Sequence, residues 1–246
     1  MKISIIIPAY NEEKRIEKTI RAYHNFFSEQ NQQSGLLFEL VIVLNGCKDN
    51  TLSIVEQLKE ELTPYTIIII NLKEAGKGLA IKTGFADALH RNNEFIGFVD
   101  ADMATSPQAF YDLFKATTTT THCDGIIASR YMPGAQITPQ RPAYKRYGSK
   151  IIFEPYVWML FGLRFHDFQC GAKLFKRSVI EKVTPQLTVT QWAFDVELLY
   201  LSKKAGFTVC EIPTVWHDQA DSKLTLRGGL RMFSALFKVW KQHRNK

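Results

Sequence analysis

Phe95-Ile96-Gly97-Phe98-Val99-Asp100-Ala101-Asp102 runs from an unbroken apolar stretch into two carboxylates spaced by one residue. A buried strand is a poor place for such charges, because each unpaired ion costs several kcal/mol to desolvate. Placing both where the strand leaves the core makes sense if a cation meets them there. Oxygen-only ligands of this kind favour Mg²⁺ or Mn²⁺. The bland alternative is a polar loop and helix cap ahead of Pro107.

Working outward, short β-branched runs alternate with helical stretches. Residues 4–8, 39–44, 66–72 and 125–130 read as strands around the same motif. Residues 12–27, 52–62 and 79–90, with a segment opening at Ser106-Pro107, read as the helices between them. Continuous apolar strands separated by helices predict an α/β fold, a mostly parallel sheet covered by helices on both faces. Ligands of such sheets bind outside the carboxyl ends of the strands. After Arg130 the composition turns rich in proline, glycine and basic residues, as expected of a long functional loop over 131–150. An aromatic helix at 151–162, a helix at 194–205, a strand at 207–212 and a helical tail from Leu226 complete the pattern. The organisation expected is one domain over 1–225, its halves 1–130 and 131–225, followed by a basic amphipathic tail at 226–246.

Composition narrows the function. At 246 residues, with 46% hydrophobic and 22% charged residues, the chain has the make-up of an ordinary globular protein. Cys47, Cys123, Cys170 and Cys210 are scattered without CxxC spacing, which argues against a zinc site or disulfide scaffold and suits a reducing compartment. No signal peptide and no run of about 18 apolar residues is visible, so a cytoplasmic location is expected. The net charge of +7 calls for an anionic partner.

Three further motifs lie at strand ends. Pro8-Ala9-Tyr10-Asn11-Glu12 offers a turn with an aromatic platform for a flat base, although a helix cap explains its polar residues equally well. Asn45, in Leu44-Asn45-Gly46-Cys47, is placed to hydrogen-bond a base edge. Lys77, in Gly76-Lys77-Gly78, starts a helix and suits an anion, although the spacing is not that of a Walker loop.

In this order, SIIIPAYNEE, NGCKDNT, GKGLAIKTG and VDAD resemble family-2 glycosyltransferases of the GT-A fold. ASRY, DFQCGAKLFKR, WAFDVELL and EIPTVWHDQADSKL are similar to the dolichyl-phosphate β-glucosyltransferase and polyprenyl-phosphate glycosyltransferase branch. The resemblance reaches about Lys223. It implies a nucleotide-sugar donor, bound by Pro8, Ala9, Tyr10, Glu12, Asn45, Lys77, Asp100, Ala101, Asp102, Ser222 and Lys223. Asp100 and Asp102 would hold Mg²⁺ or Mn²⁺ against the diphosphate. A polyprenyl-phosphate acceptor would meet Arg130, with Arg141 or Arg146, since arginine pairs bidentately with phosphate. Asp167 and Gln169 would shape the sugar or acceptor pocket, and Trp192, Asp195 and Glu197 resemble the acceptor-side helix of that pocket, with a core aromatic and a buried capping carboxylate as the alternative for that trio.

The resemblance thus implies an inverting, metal-dependent hexosyl transfer, with Asp100, Asp102 and Arg130 as catalytic residues. Two departures matter. Asn45 replaces the usual acid, which loosens base identity, and Ala104 stands where mannosyl-transferring relatives often carry glutamine. The second favours UDP-glucose over GDP-mannose. A glycan acceptor and an inactive scaffold are the remaining alternatives. A nucleic-acid binder is disfavoured, because the basic residues cluster in one loop and the tail and no RNA motif occurs. In that tail, Leu226, Leu230, Phe233, Phe237 and Trp240 share one face, with Arg227, Arg231, Lys238 and Lys241 on another. The pattern predicts a helix lying on the cytoplasmic face of a membrane. Packing on the domain is the alternative.

Overall fold

The computed structural model describes residues 1–62, 66–139, 152–217 and 226–244, the last segment with side chains from Met232 onward. Arg141, Arg146, Ser222 and Lys223 lie outside the described residues, as do the side chains of Leu226, Arg227, Leu230 and Arg231. Strand β1 (Lys2–Ala9), helix α1 (Ile16–Ser34), β2 (Leu37–Asn45), α2 (Thr51–Glu61), β3 (Ile67–Leu72), α3 (Lys77–Leu89) and β4 (Phe95–Val99) form the first half. There follow α4 (Pro107–Thr119), β5 (Gly125–Ser129), β6 (Gln136–Thr138), α5 (Glu154–Phe161), β7 (Ala172–Lys176) and α6 (Arg177–Val183). Helix α7 (Phe194–Lys204), β8 (Val209–Pro213), β9 (Val215–His217) and α8 (Leu226–His243) end the chain.

Seven strands form one sheet in the order β3-β2-β1-β4-β7-β5-β8. The isoleucines and valines of β1 and β2 are buried on both faces, as a parallel sheet between helix layers requires. Two apolar clusters, one on each side, meet that requirement. Strand order reverses beside β1, so the carboxyl ends of β1 and β4 flank the topological switch point where such sheets bind ligands.

One central strand departs from the expected parallel pattern. β7 runs antiparallel to both β4 and β5, with Phe98 opposite Lys173. Its lysines hid it: Lys173 is fully buried inside the sheet, so the segment lacks the apolar signature of its neighbours. A small parallel pair of β6 and β9 stands apart from the main sheet.

The cysteine expectation is corrected at one pair. Cys123 and Cys210 are joined by a disulfide, while Cys47 and Cys170 are free. The partners lie 87 residues apart in sequence, and the pairing of β5 with β8 brings them together.

In α8, Met232, Leu236, Val239 and His243 are buried against the domain. Of the apolar stripe read from sequence, Phe237 is exposed and Phe233 and Trp240 are half-buried. The described part of the tail therefore packs on the protein through a face offset from the expected stripe. Among the described residues no helix is long and apolar enough to cross a membrane.

Candidate active site

The loop after β4 is held from three sides. The Thr19 hydroxyl donates to Ala101 O at 2.7 Å, and Tyr23 OH donates to Thr105 O at 3.0 Å. From the other flank His217 N donates to Ala104 O at 2.9 Å, and Thr105 bridges Trp216. Asp100 N donates to Gly171 O at 3.0 Å, tying the loop to the turn before β7. Asp102 accepts from Ala104 N at 3.0 Å, and Met103 takes a left-handed φ of 60°. The loop that carries the two carboxylates is thus fixed by contacts from α1, β9 and the turn before β7.

Their electrostatics favour a cation. Burial pushes the Asp102 carboxyl above its ordinary value, and the charge of Asp100 pushes the same way. The Ala104 N–H, Arg15 and Lys77 offset only part of this. Lys77, at the first position of α3, pairs with Asp100 at 2.6 Å. Burial opposes the ammonium charge, yet Asp100, Asp195 and Asp102 together hold it above the ordinary lysine value. Two neighbouring carboxylates with oxygen donors only, one of them desolvated and the pair partly compensated by one lysine, fit a hard divalent ion such as Mg²⁺ or Mn²⁺.

Gly171 makes room for this arrangement. A Cβ there would collide with the Asp100 carboxylate itself. We expect Gly171→Ala to displace Asp100 and lower kcat/KM of the reaction at this site about 10²-fold, since small misplacements of reacting groups cost that much. Unchanged thermal melting, followed by circular dichroism, separates this effect from misfolding.

At the end of β1, Pro8 and Ala9 are buried in the strand, and Tyr10 is exposed. Asn11 takes a φ of 52° and accepts from Lys48 N at 2.8 Å. Glu12 accepts from Arg15 at 2.7 Å, and its N–H donates to Thr51 Oγ1 at 2.8 Å. Asp49 accepts from Thr51 and Glu13 backbone N–H groups. Burial opposes its charge, but the Thr51 and backbone hydrogen bonds hold its carboxyl below the ordinary value.

Asn45 is held from both sides. It is 3% exposed, its amide donates to Ala9 O at 3.0 Å, and its carbonyl accepts from Gly76 N at 3.2 Å. It is a strut between β1, β2 and the turn before α3. Asparagine suits the position because one side must donate and the other accept. Asn45→Asp would set a carboxylate against the Ala9 carbonyl. We expect it to destabilise the fold by about 1–3 kcal/mol, read as a lower urea midpoint.

The second half supplies the opposite wall. Arg130 and Asp167 form a buried bidentate pair at 2.6 and 2.9 Å, with Arg130 N also donating to Asp167. The guanidinium lies over the Trp216 ring at 4.9 Å. Gln169 donates its side-chain amide to Met232 Sδ at 3.0 Å, linking this wall to α8. Lys173 bridges Asp195 at 2.6 Å and Cys170 O at 2.7 Å, under the turn that carries Gly171. Trp192 is 42% exposed, with Lys77 Nζ 5.7 Å from its ring centre.

Glu197 fits the alternative of a buried capping carboxylate. It is fully buried, accepts from Thr188 N, Thr188 Oγ1 and Val189 N, and lies 2.9 Å from His243 Nε2. Both oxygens are engaged by the protein, so it fastens α8 to α7 rather than lining an acceptor pocket. Sequence reasoning singled out neither Lys173 nor His217. The motif DFQCGAKLFKR contains the first, and the second sits in EIPTVWHDQADSKL, but only the strand pairings reveal their proximity to the Asp100–Asp102 loop.

The comparisons agree with this geometry. The model of the glycosyl transferase family 2 matches residues 4–184. A dolichyl-phosphate beta-glucosyltransferase of Trichomonas vaginalis is 32% identical over 244 residues, covering 96% of this chain and 70% of its own. The dolichyl-phosphate beta-glucosyltransferase of Saccharomyces cerevisiae is 32% identical over 243 residues, covering 91% of this chain and 69% of its own. Among solved structures, glucosyl-3-phosphoglycerate synthase of Mycobacterium tuberculosis, in complex with Mn²⁺, UDP and glucosyl-3-phosphoglycerate, superposes with a TM-score of 0.69. That match has 15% identity and covers 97% of this chain and 78% of the other, and it supports the GT-A fold.

Proposed function

Because the chain belongs to glycosyl transferase family 2, we propose that this glycosyltransferase moves glucose from UDP-glucose onto a dolichyl or other polyprenyl phosphate. The observation that carries the reading is the Asp100–Asp102 pair, its second carboxylate desolvated, fixed at the sheet's switch point beside Lys77. The relatives' names support the lipid acceptor, and the Mn²⁺ and UDP of the solved neighbour support the donor and metal.

When bound, Mg²⁺ or Mn²⁺ supplies positive charge for the diphosphate leaving group. Asp100 and Asp102 hold it, and Lys77 adds a second positive charge at a helix start. Tyr10 provides the platform for the base, and the family resemblance assigns Ser222 and Lys223, outside the described residues, to the diphosphate. An acceptor phosphate is already an anion, so positive charge is needed more than a strong base. Arg130, oriented by Asp167, supplies it with Arg141 or Arg146. Gln169, Trp192 and Asp195 shape the space between, and attack from the side opposite the leaving group inverts the sugar. The lipid acceptor implies peripheral association with the cytoplasmic face of a membrane.

The test is transfer of labelled sugar from UDP-glucose, UDP-galactose and GDP-mannose to a polyprenyl phosphate, with Mg²⁺, Mn²⁺ or EDTA. Metal-dependent label in the lipid phase from UDP-glucose is the expected result. Label from GDP-mannose alone would refute the donor, and no lipid-phase label from any donor would refute the acceptor.

A further inference from the structure

Helix α5 is apolar on both sides. Val157 and Phe161 face the core, whereas Trp158 and Met159, with Ile152 just before the helix, are 51%, 68% and 61% exposed. A surface helix normally turns a polar side outward. A contiguous exposed apolar face marks an interaction site. This face continues onto α8, since the Tyr156 ring packs on Phe233 with centres 5.0 Å apart, and Phe237, one turn further, is 49% exposed.

The surroundings identify the occupant by charge. Arg164 lies over the Trp158 ring at 5.4 Å, and Lys203 Nζ donates to Gly162 O at 2.7 Å. Both line a cavity of about 410 Å³ whose other walls include Leu163, Phe165 and Phe207. Lys238, Lys241 and Arg244 are exposed on α8. Residues 152–165 contain one acid, Glu154, and residues 232–244 contain none. Apolar side chains ringed by cations, with aromatics at the rim, match an anionic lipid surface. Phe153, just before α5, packs on Phe168 with ring centres 6.2 Å apart, three residues before Gly171, against which Asp100 is seated. A bilayer on this face would therefore adjoin the wall that a lipid acceptor must reach.

We propose that the outward face of α5, with the Arg164–Lys203 cavity beside it, is the docking surface for an anionic bilayer. This rests on the lipid-acceptor reading for its purpose, but not for its measurement. It also moves the principal membrane contact from the C-terminal helix to α5.

The experiment is co-sedimentation of the full chain with vesicles of phosphatidylcholine, alone or mixed with phosphatidylglycerol. Wild type is expected to sediment with the mixed vesicles and to be released by salt. Ile152→Glu/Met159→Glu is expected to lower partitioning at least about tenfold, from the loss of two buried apolar side chains. Arg164→Gln/Lys203→Gln is expected to remove the preference for phosphatidylglycerol. Both variants should keep wild-type melting and full transfer to a short-chain polyprenyl phosphate in detergent. Unchanged partitioning of the glutamate variant overturns the proposal. So does loss of binding through Phe237→Glu alone, or a wild-type dimer without vesicle binding that the glutamate variant dissociates. Vesicle binding through α5 without any sugar transfer would sink the proposed reaction and leave the surface standing. Transfer without vesicle binding would do the reverse.

Discussion

Asp102→Asn is expected to lower sugar transfer by about 10²–10³-fold while leaving the fold as stable as before, or more so. The two effects separate for a physical reason. Asp102 is desolvated and repelled by Asp100, so its charge is unfavourable in the folded protein. Asparagine keeps the shape, and its carbonyl can still accept from Ala104 N, which donates to Asp102 at 3.0 Å. Asp100 retains its pairing with Lys77. The variant therefore removes electrostatic strain together with one donor oxygen and the negative charge that a divalent ion needs. Two measurements check this: thermal melting, and Mn²⁺ binding followed by electron paramagnetic resonance with UDP present. Retained Mn²⁺ affinity with retained transfer would show that the charge pair serves something other than a metal.

The elements that were legible in the sequence are those whose environment is uniform. β1, β2 and β4 are buried on both faces, so each reads as an unbroken apolar run, and their ends mark the site. The Asp100–Asp102 pair stands out because nothing in such a run excuses two charges. β7 was not legible, since Lys173 is buried by pairing with Asp195, a partner 22 residues away on another element. The same difficulty left the role of Glu197 open: a carboxylate on a helix looks available until His243, 46 residues on, is brought against it. Asn45 is a subtler case. Its residue type signals one donor and one acceptor, but only the crossing of three chain segments shows that both face backbone. In α8 the apolar periodicity was visible, yet which of two overlapping stripes faces the protein depends on what the helix lies against.

Asp167→Asn is expected to be the most destabilising of these substitutions, by about 3–5 kcal/mol, because it leaves the buried Arg130 guanidinium without its counter-ion. Arg130 is 8% and Asp167 3% exposed, so water cannot take over the lost contact. In a chain of this length the melting temperature should fall on the order of 10 °C. The pH dependence follows from the same pair. Burial opposes ionisation of Asp167, but the charge and hydrogen bonds of Arg130 outweigh it and hold the carboxyl below its ordinary value of 3.8. A carboxyl depressed on folding contributes stability above its unfolded value and loses it as pH falls through the folded value. Wild type should therefore shed this contribution below pH 3.8, whereas the variant, lacking the group, should show a shallower acid limb in urea midpoints measured against pH. An equal acid limb in both proteins would mean that the pair is not what fails in acid. Since Arg130 also lies against Trp216, whose backbone bridges Thr105 beside the Asp102 loop, loosening this pair should lower transfer as well as stability. Arg130→Lys tests that coupling: it keeps the charge, loses the bidentate geometry, and should reduce kcat more than it reduces the melting temperature.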